Sequence, residues 1–239
     1  MFERTLLEDI VMISLSDLRQ FKQQGRRFSC LTCYDASMAK AMELAEIDSI
    51  LIGDSLGMTI QGHDSTLPVN VADMAYHTAA VRRTNQHSFI MTDLPFMSYA
   101  TVNDALINAK TVMQAGAQMV KIEGGAWLSE TVQTLTRNGI PVCVHLGLTP
   151  QSVHVFGGYK LQAKTRDAAD QLIADCKAVV EAGAAVLLLE CVPAQMGKEI
   201  TELFPNVPVI GIGAGAETDG QVLVVQDMLG LNFGKVARF

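Results

Sequence analysis

Apolar positions recur along the chain in short runs rich in Val, Ile and Leu, at residues 28–34, 49–53, 88–92, 119–122, 141–146, 185–189, 207–212 and 221–225. Runs this short, bounded by Gly, Pro and polar clusters, predict strands. Between most of them the apolar positions switch to helical spacing, at 37–46, 71–84, 102–115, 128–138, 166–182 and 196–204, while 213–220 is only a short loop. An additional helix is expected over 14–24, where Leu15, Leu18 and Phe21 share a face, before the first strand.

Strict alternation of strand and helix implies parallel strands whose crossover helices cover the sheet, leaving the strands apolar on both faces. Val186-Leu187-Leu188-Leu189 reads in that way. Eight such units in 239 residues, with no Pro/Ser-rich linker between them, predict an α/β protein of the (β/α)8 TIM barrel class. An open doubly wound sheet is the alternative. Ala115-Gly116-Ala117 and Ala182-Gly183-Ala184 each end a helix and lead into a buried strand, and seven residues after each Gly stands a glutamate, Glu123 or Glu190.

Composition narrows the function more than the fold. A formal net charge of −7 offers no basic field to a phosphate backbone, so nucleic acid is excluded as a partner class. No apolar run approaches the ~18 residues of a membrane span. Five cysteines, an odd number without framework spacing, follow an acidic N-terminal stretch, which together predict a reducing cytoplasm. Cys30 and Cys33 have the spacing of a redox or zinc pair, but no second Cys/His pair accompanies them.

In a barrel the carboxyl ends of the strands converge on one mouth, where catalytic groups lie. The residues standing there are Asp35, Asp54-Ser55, Asp93, Lys121 and Glu123, His145 and Glu190. Asp35 precedes a helical stretch and is equally readable as its N-cap. Several acids at one mouth repel one another unless a cation binds among them, and hard oxygen ligands suit Mg²⁺. Asp54, Asp93 and Glu123, from successive strands, form the best candidate trio for that metal.

Lys121 and Glu123 share strand parity and face the barrel interior. The lysine could form a Schiff base with a carbonyl substrate, or stay charged and hold a substrate carboxylate or enolate, or simply pair with Glu123. His145 shares parity with Cys143 and could donate to substrate or be a satisfied core histidine. His77 and His87 are expected at the surface. Glu190 ends a very apolar run; burial raises a carboxyl pKa, which suits a general base removing a proton α to a carbonyl. Gly211-Ile212-Gly213-Ala214-Gly215 lies where barrels often bind phosphate but lacks dinucleotide-loop spacing, and a tight turn explains it equally well. Residues 156–160, with Lys164 after them, follow the fifth strand as a candidate lid.

The stretches Gly53-Asp54-Ser55-Leu56-Gly57-Met58, Gln61-Gly62-His63-Asp64-Ser65-Thr66-Leu67-Pro68-Val69, Asp93-Leu94-Pro95-Phe96, Val120-Lys121-Ile122-Glu123-Gly124-Gly125, His145-Leu146-Gly147-Leu148-Thr149-Pro150-Gln151 and Gly211-Ile212-Gly213-Ala214-Gly215, in this order and spacing, resemble the 3-methyl-2-oxobutanoate (ketopantoate) hydroxymethyltransferase family. The resemblance runs from Met12 onward and implies a barrel of the phosphoenolpyruvate/pyruvate type. It further implies Mg²⁺ held by Asp54, Asp93 and Glu123; keto-acid contacts from Ser55, Asp93 and Lys121; Glu190 as proton acceptor; and 5,10-methylenetetrahydrofolate as co-substrate in pantothenate biosynthesis. Asp54 and His145, from their place at the mouth, are expected to join the substrate contacts. A homo-oligomeric ring, up to a decamer, is implied by the same likeness. Residues 1–11 have no counterpart in the family and are expected to be an extension of a single barrel domain spanning 12–239, with a short C-terminal segment. A Schiff-base aldolase using Lys121, or an inactive barrel acting as a binding or assembly protein, are the rival readings.

Overall fold

A computed structural model describes residues 12–231; the expected extension over 1–11 and the chain end from 232 lie outside the described residues. Eight parallel strands close on themselves in sequence order: β1 (Phe28–Thr32), β2 (Ser49–Ile52), β3 (Phe89–Asp93), β4 (Met119–Glu123), β5 (Val142–Gly147), β6 (Val186–Glu190), β7 (Val209–Ile212) and β8 (Gly220–Leu223). The eighth strand pairs back onto the first, with Cys30 opposite Val222, so no strand edge is left open. The open doubly wound alternative is thereby excluded.

The helices, in chain order, are α1 (Leu15–Gln23), α2 (Ala36–Leu44), α3 (Leu56–Thr59), α4 (Val71–Thr84), α5 (Val102–Gln114), α6 (Ser129–Arg137), α7 (Val153–Phe156), α8 (Arg166–Glu181), α9 (Ala194–Leu203) and α10 (Val225–Met228). Their starts are written in the sequence. Asn70, Thr101 and Thr165 each accept a backbone N–H of the first turn of α4, α5 and α8, satisfying donors that have no partner within the helix. The one-turn helices α3, α7 and α10 are the elements that periodicity does not foretell, because four residues are too few to show a period. No helix among the described residues is long and apolar enough to cross a membrane.

Strand alternation divides the core in two. Val120 and Ile122 of β4 and Leu187 and Leu189 of β6 pack outward against the helices, whereas Met119, Cys143, Val186 and Leu188 fill the barrel interior. At the amino-terminal end of the barrel, α1 closes the opening: Ile13 and Leu18 join the interior cluster. Ser14 and Asp17 form a reciprocal capping box at its start, and Lys22 reaches the Asp219 carboxylate at 2.7 Å, just ahead of β8. With one end plugged and the lower interior apolar, polar side chains on inward-facing positions collect at the other end.

Candidate active site at the carboxyl ends of the strands

The inward parity that runs through Phe89 and Met91 on β3 continues to Asp93, that of Met119 on β4 to Lys121 and Glu123, that of Cys143 on β5 to His145, and that of Val186 and Leu188 on β6 to Glu190. Register sets these residues side by side, with Asp93 opposite Lys121 and Glu123 opposite His145. Asp54 stands just past β2, where its backbone N–H donates to Asp93 Oδ2 at 2.9 Å. All six are buried.

Lys121 is the hub. Its Nζ lies 2.9 Å from Asp93 Oδ1 and 3.2 Å from Glu123 Oε1. Burial disfavours its charge, but the carboxylates of Asp93, Glu123 and Asp54 outweigh that and hold the ammonium well above the usual lysine range. Burial likewise opposes the charge on Glu123, which Lys121 and His145 reverse, keeping its carboxyl down at about 2. Asp54 goes the other way: burial, then the neighbouring charges of Asp93 and Glu123, raise it well above the normal carboxyl range. Asp93 is also raised, mainly by burial, with Lys121 opposing.

His145 bridges two acids. Nδ1 is 3.1 Å from Glu123 Oε1 and Nε2 is 3.2 Å from Glu190 Oε2. Burial and the nearby Lys121 ammonium, whose Nζ is 3.2 Å from Nδ1, disfavour the imidazolium; Glu123 and Glu190 outweigh both and raise its pKa to about 9. Glu190, at the tip of an apolar strand, thus lies against a ring nitrogen. Beside it, Gly147 has φ +86°, and a Cβ there would stand 2.4 Å from the Glu190 carbonyl oxygen, so only glycine lets β5 and β6 end this close together. Ser55 is partly buried and its hydroxyl is 2.7 Å from that of Tyr34.

The donor set fits a hard divalent cation through two carboxylates. Asp54 and Asp93 are adjacent, buried and of like charge, and ionising Asp54 there requires a compensating cation; Mg²⁺ is commonly held by one or two carboxylates, leaving positions for water and substrate. Glu123, the third acid of the expected trio, already has partners within the chain. Its carboxylate is taken up by Lys121, His145 and the Gln151 backbone N–H, and among the described residues no three His, Cys, Asp or Glu side chains stand together as a metal-holding group.

Other expectations resolve simply. Asp35 is an N-cap, its side chain accepting from Met38 N at 2.9 Å. His77 and His87 are half-buried rather than on the surface, and His77 Nδ1 lies 2.6 Å from the Tyr34 carbonyl oxygen. Cys30 and Cys33 are free and on opposite sides of the barrel wall, burial pushing both thiols up to about 12. In the loop after β7, Gly215 has φ +84°, and a Cβ there would stand 2.5 Å from that of Ala194 at the start of α9, so glycine serves both the left-handed backbone and the close approach to that helix.

Two residues of the site have no counterpart in the strand-end reading: Tyr99, in the loop after β3, and Gln151, in a turn after β5, both hydrogen-bonded to Glu123. Loops carry no periodic signal, and for Gln151 the only pointer was its place in the Thr149-Pro150-Gln151 string of the family resemblance.

The family model described as ketopantoate hydroxymethyltransferase matches residues 12–239. A 3-methyl-2-oxobutanoate hydroxymethyltransferase of Acinetobacter baumannii (strain AYE) is 88% identical over 228 residues, covering 95% of this chain and 85% of its own length. The enzyme of the same name from Psychrobacter sp. (strain PRwf-1) is 64% identical over 95% of this chain and 84% of its own. Among solved structures, phosphonopyruvate hydrolase in complex with oxalate and Mg²⁺ superposes with a TM-score of 0.69 at 13% identity, over 92% of this chain and 84% of that one. A 2,3-dimethylmalate lyase of the phosphoenolpyruvate mutase/isocitrate lyase superfamily gives 0.66 at 14% identity, with the same coverage; both likenesses show the barrel fold. With a closed eight-stranded barrel, an acidic mouth and a match along nearly its whole length, this chain belongs to the ketopantoate hydroxymethyltransferase family.

Proposed function

We propose that this protein transfers a hydroxymethyl group from 5,10-methylenetetrahydrofolate to 3-methyl-2-oxobutanoate, giving 2-dehydropantoate for pantothenate biosynthesis, with Mg²⁺ held by Asp54 and Asp93. The names of its relatives support the transfer and the keto acid; a neighbouring barrel in complex with Mg²⁺ and oxalate supports a small oxo acid beside a hard cation. When bound, the cation draws electron density from the keto carbonyl and makes the C3 proton more acidic.

The remaining work falls to side chains of this chain. The Glu190 carboxylate takes the C3 proton, oriented by His145 Nε2 at 3.2 Å. The Lys121 ammonium, already held beside Asp93, supplies positive charge to the substrate carboxylate and the enolate oxygen, and the Ser55 hydroxyl orients the keto acid. Carbon C3 of the enolate then bonds to the methylene carbon of the donor; water supplies the hydroxyl oxygen and tetrahydrofolate departs.

The observation that carries this reading is the unbroken line of contacts from Asp93 through Lys121, Glu123 and His145 to Glu190, which joins a cation-binding acid to a candidate base. A lysine held charged between two carboxylates is suited to electrostatic work and not to a Schiff base, so borohydride with keto acid should trap no adduct at Lys121. Incubation with C3-deuterated keto acid and Mg²⁺ should wash out the label; persistence of exchange in Glu190→Gln at the wild-type rate would remove Glu190 from its role. Five cysteines without a disulfide among the described residues support a cytoplasmic setting. Exposed apolar side chains such as Trp127, Tyr76 and Leu44 support a homo-oligomer.

A further inference from the structure

Gln151 and Tyr99 are 6% and 7% exposed and have no part in the chemistry above, yet every polar atom of the Gln151 side chain is engaged. Its Nε2 donates to Asp54 Oδ2 at 2.8 Å and to the Leu94 carbonyl at 3.0 Å, while its Oε1 accepts from the Tyr99 hydroxyl at 2.5 Å. Its backbone N–H donates to Glu123 Oε2 at 3.0 Å, and the Tyr99 hydroxyl accepts from the Glu123 N–H at 3.2 Å. The orientation of the carboxamide is forced. The Leu94 carbonyl oxygen only accepts, so the NH₂ must face it and the adjacent Asp54 Oδ2, leaving the amide oxygen for Tyr99. One residue thus ties the ends of β2, β3 and β4 together.

We propose that Gln151, oriented by Tyr99, is a positioning residue that sets the Asp54 carboxylate beside Asp93 in the attitude in which the pair takes up a hard divalent cation. This rests on the function proposed above. Asp54 Oδ2 receives its side-chain hydrogen bond from this amide, and its burial leaves no bulk water to do the same work. Hydrogen-bond partners behind a ligating carboxylate commonly contribute 10–100-fold to metal affinity or activity. A network that served packing alone would leave affinity for the ion untouched in a folded variant.

The test titrates Mn²⁺ into substrate-free protein and follows the free ion by electron paramagnetic resonance, with steady-state kinetics alongside. Gln151→Met keeps the length and packing of the side chain but cannot donate; Tyr99→Phe keeps the ring and removes only the hydroxyl. We expect the Mn²⁺ Kd of Gln151→Met to weaken by roughly 10–100-fold, with saturating metal restoring most of kcat. Tyr99→Phe should move Kd the same way by a smaller factor, and the double variant should bind no worse than Gln151→Met alone, because the two act in one chain. Should Gln151→Met fail to fold, Tyr99→Phe carries the test by itself. Folded variants with the wild-type Kd, or a loss of activity that saturating Mn²⁺ does not relieve at unchanged Kd, overturn the proposal. Wild-type protein that neither binds Mn²⁺ nor exchanges the C3 deuteron overturns the proposed function itself, a result distinct from wild-type binding that the variants leave unchanged.

Discussion

His145 Nε2 lies 3.2 Å from Glu190 Oε2, and the other nitrogen of the same ring is 3.1 Å from Glu123, so the candidate base is joined through an imidazole to the charge cluster on β4. The ring does not only fill the barrel. Under the proposed function it orients the Glu190 carboxylate from 3.2 Å away.

Replacing His145 with Gln, which can donate through one nitrogen only, should therefore slow C3 proton removal by about 100-fold, the lower end of what a positioned acid–base partner contributes. The KM for the keto acid should change much less than kcat. Loss of deuterium from labelled keto acid, followed by proton NMR without the folate donor, isolates this step; a rate within twofold of wild type would contradict the assigned role.

Lys121→Met removes an ammonium that is 2.9 Å from Asp93 and 3.2 Å from Glu123, leaving both acids buried without it. Breaking a buried pair by deleting one partner costs about 3–5 kcal/mol, more than the lost attraction alone, because the remaining charges stay desolvated. Urea unfolding of the metal-free protein should show a fall of that size.

Asp54→Asn should behave in opposite ways with and without metal. Burial, then the charges of Asp93 and Glu123, penalise its ionised form, so an amide in its place removes that penalty and should leave the metal-free protein at least as stable as wild type. Wild type in Mg²⁺ at a hundred times its Kd gains about 2.7 kcal/mol, and the variant should lose most of that gain. Thermal unfolding with EDTA and with Mg²⁺ reads both signs, and a variant that keeps the full gain would exclude Asp54 as a ligand.

A pH effect is expected far from the mouth, at Glu43 near the end of α2. Burial opposes its charge, but Lys40 and the Gln86 N–H, 2.6 Å from Oε2, outweigh burial and hold the carboxyl below its usual value. A carboxyl lowered on folding contributes stability that is fully present above its unfolded pKa, about 4.3, and is lost as pH falls through the folded value. The margin of wild type over Glu43→Gln, about 1.5 kcal/mol for a hydrogen bond to a charged group, should shrink as pH falls below 4.

The site was legible in the sequence to the extent that regular structure positions it. Asp93, Lys121, Glu123, His145 and Glu190 each end or nearly end an apolar strand, and period-two alternation alone turns them into the barrel. Helix α4, with its Asn70 cap, falls on the residues its periodicity indicated, 71–84. What was not legible depends on distance through space. That Glu123 is occupied by His145 and Gln151, that Asp35 serves only as a cap, and that Tyr99 and Gln151 join the acids are results of loop paths, for which no periodicity exists.

Helix α1 has a consequence beyond stability. Because Ile13 and Leu18 seal the far end of the barrel, the molecule is a cup with one rim. Whatever binds against Lys121 and Glu190 must arrive and depart past whatever binds nearer the rim. Under the proposed function, this shape predicts an order: the small oxo acid enters before the bulky one-carbon donor, and the spent donor leaves before the product.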